Sequence, residues 1–242
     1  MERSIKTGLV LAVLLLATAE VRAEGDDFGL WSEVNVEKKI SRNLSVDGGV
    51  ELRTRDHVKT VDRWSGSIGA SYKLTDWLKA SAGYTLLYDN NEKWNDKQTK
   101  VANFWGTRHR FNVSLTGSVD FGNLSVSLRE RWHYTYRPEK TVERTKVSKG
   151  TVEDKTYNGK GKNVWRNRLQ LKYKVSKVWR PYVNGETFVS NGMDKYRLSA
   201  GTEIRLSKQH SFDVKYLFQK SCGDDDEEGN RHIIGLGYTF KF

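Results

Sequence analysis

The chain of 242 residues contains a single cysteine, and its 30 acidic side chains fall well short of its 41 lysines and arginines. One thiol, Cys222, excludes an internal disulfide framework and the common thiolate metal clusters. Helical metal motifs are missing as well: His109, His133 and His210 lie far apart, with neither HExxH nor another close spacing. No glycine-rich phosphate loop joins a strand to a helix, and no basic patch sits on a helix, so neither a metal, a cofactor nor nucleic acid is expected. No apolar run reaches the roughly 20 residues that a spanning helix needs.

The one conspicuous apolar run opens the chain. "MERSIKTGLVLAVLLLATAEVRA" carries Arg3 and Lys6, an apolar stretch from Gly8 to Ala19, and small residues around Arg22. That pattern reads as a secretory signal peptide over residues 1–23 with cleavage after Ala23, followed by one domain over 24–242. No cysteine follows Ala23 to accept a lipid.

From there apolar and polar residues alternate at period two over stretches of about ten residues, the length of a tilted membrane-spanning strand. One face of an early stretch reads Leu44, Val46, Gly48, Val50, Leu52, and the other Ser45, Asp47, Gly49, Glu51, Arg53. The last stretch, "GLGYTFKF", puts Tyr238, Phe240 and Phe242 on one face. Between the strands, one set of connections is tight, as at Ser41 to Asn43, Thr75 to Asp76 and Ser207 to Gln209. The other set is long and polar, including "DNNEKWNDKQTKVANFWG" and "RPEKTVERTKVSKGTVEDKTYNGKGKN". Short turns at one end and long loops at the other predict an all-β, transmembrane, antiparallel up-and-down β-barrel with short periplasmic turns and long extracellular loops. In such a barrel Gly237, Phe240 and Phe242 match the C-terminal signature read by barrel-assembly machinery, and the aromatic residues suit the membrane interface.

Eleven segments alternate: about 28–40, 43–55, 62–74, 77–89, 107–119, 124–137, 164–176, 179–190, 195–207, 210–220 and 231–242. An even count is expected of a single-chain bacterial barrel, so the sequence predicts 10 to 12 strands without fixing the parity. The first segment is the suspect, because its connection to the second has the tight, periplasmic style. Glu130 falls in the outward register, which a β-bulge would correct, and Pro181 needs the start of its strand.

The stretches "FGLWSEVNVEKKISRNLSVDGGVELRTRD", "RHRFNVSL", "LRERWHYTY", "WRNRLQLKYKV" and "RPYVNGETFVS" resemble the bacterial outer-membrane barrel family named domain of unknown function 2490. The recurring elements are Trp31, the Glu51 and Arg53 pair, the doubled arginines, and Glu186 with Phe188. The resemblance implies the fold and an integral outer-membrane location. The family carries no assigned activity, so it assigns no functional residue.

Parity places Arg53, Arg63, Arg108, Arg110, Arg129, Arg131, Arg166, Arg168, Arg197 and Arg205 on the inner face, with fewer acids, notably Glu51, Glu186 and Glu203. An excess of guanidinium groups around a narrow aqueous lumen favours small anionic solutes. The alternative is a non-conducting structural or surface-interaction barrel, in which those acids pair with arginines on neighbouring strands and fill the interior. A third reading, a barrel enzyme, would look to "SCGDDDEEGNRH" near the loop end, but five consecutive acids more often form a solvated loop. No catalytic residue is assigned. Expected partners are outer-membrane lipid, lipopolysaccharide and the assembly machinery. The chain is predicted to fractionate with outer membranes after cleavage following Ala23, and to migrate differently on a gel before and after boiling. A folded, soluble periplasmic protein would contradict this reading.

Overall fold

The computed structural model describes residues 26–222 and 230–242. The expected leader and the acidic run from Asp224 to Glu228 lie outside the described residues. Within them every regular element is a strand: β1 (Asp27–Lys39), β2 (Leu44–Arg55), β3 (Thr60–Lys73), β4 (Leu78–Trp94), β5 (Lys100–Phe121), β6 (Leu124–Arg137), β7 (Lys140–Lys146), β8 (Val152–Tyr157), β9 (Lys160–Tyr173), β10 (Trp179–Val189), β11 (Met193–Arg205), β12 (His210–Ser221) and β13 (Arg231–Lys241). All but β7 and β8 form a closed wall of 11 strands in the order β4-β3-β2-β1-β13-β12-β11-β10-β9-β6-β5, with β5 pairing back to β4.

The wall is inside out relative to a soluble sandwich. Ile68 is 67% and Val50 59% exposed on the outer face, whereas the carboxylate residue Glu186 is 5% exposed on the inner one. Apolar side chains facing out and polar ones facing in are what a barrel surrounded by hydrocarbon requires, and closure leaves no backbone edge unpaired.

Eleven wall strands fall within the expected 10 to 12, and the parity left open by the sequence is odd. β1 is a full wall strand and runs parallel to β13, in register from Asp27↔Arg231 to Glu37↔Lys241. Every other wall pairing is antiparallel. A meander that closes through one parallel pair must have an odd number of strands. It also places the Asp27 end of β1 with the long loops, beside Arg231, which is why its tight connection to β2 looked misplaced.

The short turns are written locally in the sequence. Ser41, Thr75, Ser176 and Ser207 each open a turn, and their hydroxyls accept from the backbone N–H groups of Leu44, Leu78, Trp179 and His210 at 3.1, 3.0, 3.0 and 3.0 Å. Between β5 and β6, Gly122 supplies a positive φ of 62°. At the opposite end, Asp56, His57 and Val58 follow one another at φ 54°, 56° and 69°. This conformation is strained for a β-branched valine. It is held by Val58 N–H donating to the Phe28 carbonyl at 3.2 Å and His57 N–H donating to Asp27 Oδ1 at 3.1 Å, both on β1.

Two long connections are mostly strand. β4 and β5 run to 17 and 22 residues, past the roughly 9–11 needed to span a membrane, and leave only 95–99 as a turn. The β7–β8 hairpin does not fold into the lumen as a constriction. It pairs with the outer end of β5 through Lys100↔Lys146 and Val101↔Thr145, and so continues the wall beyond the barrel. Tyr157 stacks on Phe104 at 5.4 Å. Hydrogen bonds from Lys100 and Arg144 hold the Glu153 carboxyl down to about 2. Glu130 is not corrected by a bulge: the β5–β6 and β6–β9 registers run through it without a shift, and it remains outward and exposed. Bulges fall instead after Arg53 and after Phe188. Pro181 precedes Tyr182, where the pairing of β10 with β9 begins.

Phe242 closes the short-turn end of the seam. Its N–H donates to the Glu37 carbonyl at 3.0 Å, its own carbonyl accepts from Lys39 N–H at 3.3 Å, and its ring stacks on Phe240 at 5.6 Å. Deleting Phe242 removes both hydrogen bonds and a ring pair worth about 0.5–1.5 kcal/mol. The yield of heat-modifiable barrel is expected to fall, and unchanged assembly kinetics and yield would contradict the seam-locking role.

Candidate functional site

The pleat sends every second residue of each wall strand into the lumen, and contacts between strands that are not neighbours show how those side chains meet there. Glu186 on β10 lies at the centre. Its carboxylate accepts from Arg166 at 2.6 and 2.7 Å, from Arg129 on β6 at 3.2 Å, and stands 3.8 Å from Arg168 Nε. One carboxylate thus faces three guanidinium groups. Glu51 is held bidentately by Arg53 of its own strand at 2.7 and 2.9 Å. Glu203 takes Lys172 across the lumen wall at 2.7 Å and also pairs with Arg205 two residues on.

Arg63 and Arg108 converge on an acid that the parity argument omitted, Asp89. Arg108 binds it through Nε and Nη2 at 2.6 and 2.7 Å, and Arg63 pairs with it from the other side. Asp89 stands where the expected strand 77–89 meets the polar stretch "DNNEKW". Extending the inward series Lys79, Ser81, Gly83, Thr85, Leu87 by one step reaches it, because β4 continues to Trp94.

Aromatic residues in the inward register were also overlooked. Trp31 on β1 is covered by Arg53 at 3.7 Å and by Arg197 of β11 at 4.9 Å. Arg197 also stacks on Phe188 at 4.6 Å, and Arg166 covers the same ring at 4.9 Å. Arg197 Nε donates to the buried Gln219 at 2.8 Å. These groups form a continuous layer from β2 across to β9, in which each guanidinium finds either a π face or an acceptor.

The remaining sequence-selected cations lie to one side of this layer. Arg110 donates to Thr135 Oγ1 at 3.0 Å. Arg131 has a buried Nε without an acceptor, as do Arg129, Arg166, Arg168 and Arg180. Arg129, Arg131 and Arg168 line a 290 Å³ cavity with Asp47, Lys79, Ser67, Ser81 and Thr116, the last paired directly with Arg129 across the β5–β6 ladder. Toward the short turns it shares Ser71, Lys79 and Thr116 with a 440 Å³ cavity that reaches Arg42 and Trp77. Gly237 is inward on β13, where an added Cβ would lie 3.3 Å from Asp213 Cβ; Phe240 and Phe242 are at the seam's outer surface, away from the lumen cluster.

No curated protein matches the chain. Among solved structures it is similar to the translocator domain of the autotransporter NalP from Neisseria meningitidis, with a TM-score of 0.53 and 11% identity over 91% of each chain. It is also similar to the NanC porin, with a TM-score of 0.51 and 12% identity, over 89% of this chain and 98% of that one. The β domain of the Bordetella autotransporter BrkA gives a TM-score of 0.51 and 12% identity over 81% and 78%. At such identities the likeness is one of fold, a membrane barrel. Residues 28–230 match the family model described as protein of unknown function DUF2490, and the chain belongs to that family.

Proposed function

We propose that this barrel is a narrow outer-membrane channel for small anionic solutes, with the arginines of β6 and β9 setting its preference, and that it is not an enzyme. The observation that carries the reading is the charge imbalance at Glu186, where three guanidinium groups share one carboxylate. Among the described residues Arg110, Arg131 and Arg180 form no ion pair at all. A cation left uncompensated against a low-dielectric wall attracts a passing anion by up to about 4 kcal/mol at about 4 Å and an effective dielectric of about 20, before screening. The cavity beside Arg129, Arg131 and Arg168 also carries the hydroxyls of Ser67, Ser81 and Thr116, with Asp47 as its one acid, so a solute carrying both a negative charge and hydrogen-bonding groups is best accommodated.

A second reading rests on the Trp31, Arg197 and Phe188 layer, which links β1 to β9 across the lumen. If it stays shut, the chain is a structural barrel that presents its β7–β8 hairpin to the outer leaflet and lipopolysaccharide. The two readings separate in a planar bilayer. The channel reading expects conductance with chloride favoured over potassium in a salt gradient, and expects R131Q with R168Q to move the permeability ratio toward 1 without abolishing conductance. Silent but heat-modifiable protein supports the structural barrel, and cation preference contradicts the channel reading. Glu186→Gln is expected to raise anion preference while lowering stability by about 3–5 kcal/mol, since it strips the buried arginines of their shared carboxylate. Unfolding in denaturant measures the second effect.

A further inference from the structure

The outward face carries a carboxylate well inside a spanning strand that nothing above uses. Glu130 sits seven residues into β6, a strand that starts at Leu124, and it is exposed with no hydrogen bond or ion pair among the described residues. Its cross-strand neighbour on β9 is Asn167, also seven residues from its own strand's short-turn end. Asn167 Oδ1 is buried without a partner, and its Nδ2 reaches Thr187 Oγ1 only at the 3.5 Å limit. An ionisable group and an under-satisfied amide side by side on a hydrocarbon-facing surface require a protein partner more than a lipid one.

The rungs on either side say which partner fits. Directly below is Leu128↔Leu169 and directly above is Trp132↔Trp165. These two flanking rungs pair identical residues across the β6–β9 seam, and Leu128, Leu169 and Trp165 are 50%, 52% and 55% exposed. Two copies in one membrane share the same orientation, so a two-fold axis must run along the membrane normal. Such an axis through the Glu130–Asn167 rung sets β6 of one copy against β9 of the other, with the tilted seams crossing there. Glu130 then meets an Asn167 amide, twice over, and the leucine and tryptophan rungs flank the crossing point. We propose that the β6–β9 face is a homodimer interface in the plane of the membrane, locked by paired hydrogen bonds from Asn167 Nδ2 to the Glu130 carboxylate of the second copy.

The proposal is independent of whether the lumen conducts. It is tested with the full chain in a Cys222→Ser background, co-expressing a Glu130→Cys form and an Asn167→Cys form that carry tags of different size. Separate chains are needed because positions 130 and 167 are direct cross-strand neighbours within one barrel. Mild oxidation in membranes should give a mixed-tag disulfide dimer as the main cross-linked product. Glu130→Leu with Asn167→Leu should raise the dimer dissociation constant about tenfold in mild detergent, with heat modifiability retained to show that the barrel still assembles. A monomer in native mass measurement with no cross-link overturns the proposal. So does a cross-link from position 130 to a protein of another mass, or a dimer whose affinity ignores both leucine substitutions.

Discussion

The structure depends on a hydrogen-bonded seam between its first and last wall strands. In hydrocarbon an open sheet edge has no water to satisfy its backbone groups, so a barrel of this size exists only if its ends pair. Here they pair in parallel, Asp27↔Arg231 through Glu37↔Lys241. The seam is fastened at both ends. At the long-loop end Arg231 lies 3.8 Å from Asp27 and 3.6 Å from Asp62, tying β13 to β1 and β3. At the short-turn end Phe242 bonds to Glu37 and Lys39. Gly29 permits the close approach of β2 to β1 near this seam, since a Cβ there would fall 2.6 Å from the Thr54 carbonyl oxygen.

Closure fixes which groups share the lumen. It brings Trp31 on β1 within reach of Arg197 on β11, three strands around the wall, and completes the layer that runs on through Phe188 to Arg166. The fold thus handles its excess of buried cations in two ways. Where acids are available, at Glu186, Asp89, Glu51 and Glu203, guanidinium groups crowd onto them; where they are not, rings and amides take their place. What is left over, Arg131 with the unpartnered faces of Arg129 and Arg168, lines a cavity. In the channel reading proposed above, the interactions that hold the barrel together are the same ones that would set its selectivity.

Period-two alternation made all eleven wall strands legible, because every one is lipid-facing on one side and lumen-facing on the other, but it stopped short of the polar extensions of β4 to Trp94 and of β5 back to Lys100. The hydroxyls of Ser41, Thr75, Ser176 and Ser207 mark the short turns just as plainly. The closure was not legible: alternation reports which face a residue takes and carries no information on the direction of the strand beside it, so the parity of β1 stayed open. Asp89 was lost because a strand rising beyond the membrane turns polar on both faces, as "DNNEKW" does, and resembles a loop. Trp31 and Phe188 were lost from the lumen because large apolar residues are expected outside, and only their guanidinium partners make an inner position favourable. The pairing of Glu51 and Glu203 with Arg53 and Arg205 of their own strands also departs from the neighbouring-strand pairing expected.

Disulfide trapping across the seam tests the parallel closure most directly. In a Cys222→Ser background, cysteines at Leu30 with Ile234 and, separately, at Val36 with Phe240 occupy directly paired positions in the parallel register. Both pairs should cross-link within single, heat-modifiable barrels, and Leu30 with Phe240 should not. Cross-linking of Leu30 with Phe240 and of Val36 with Ile234, in place of the first two, would mean an antiparallel seam and contradict the eleven-strand account.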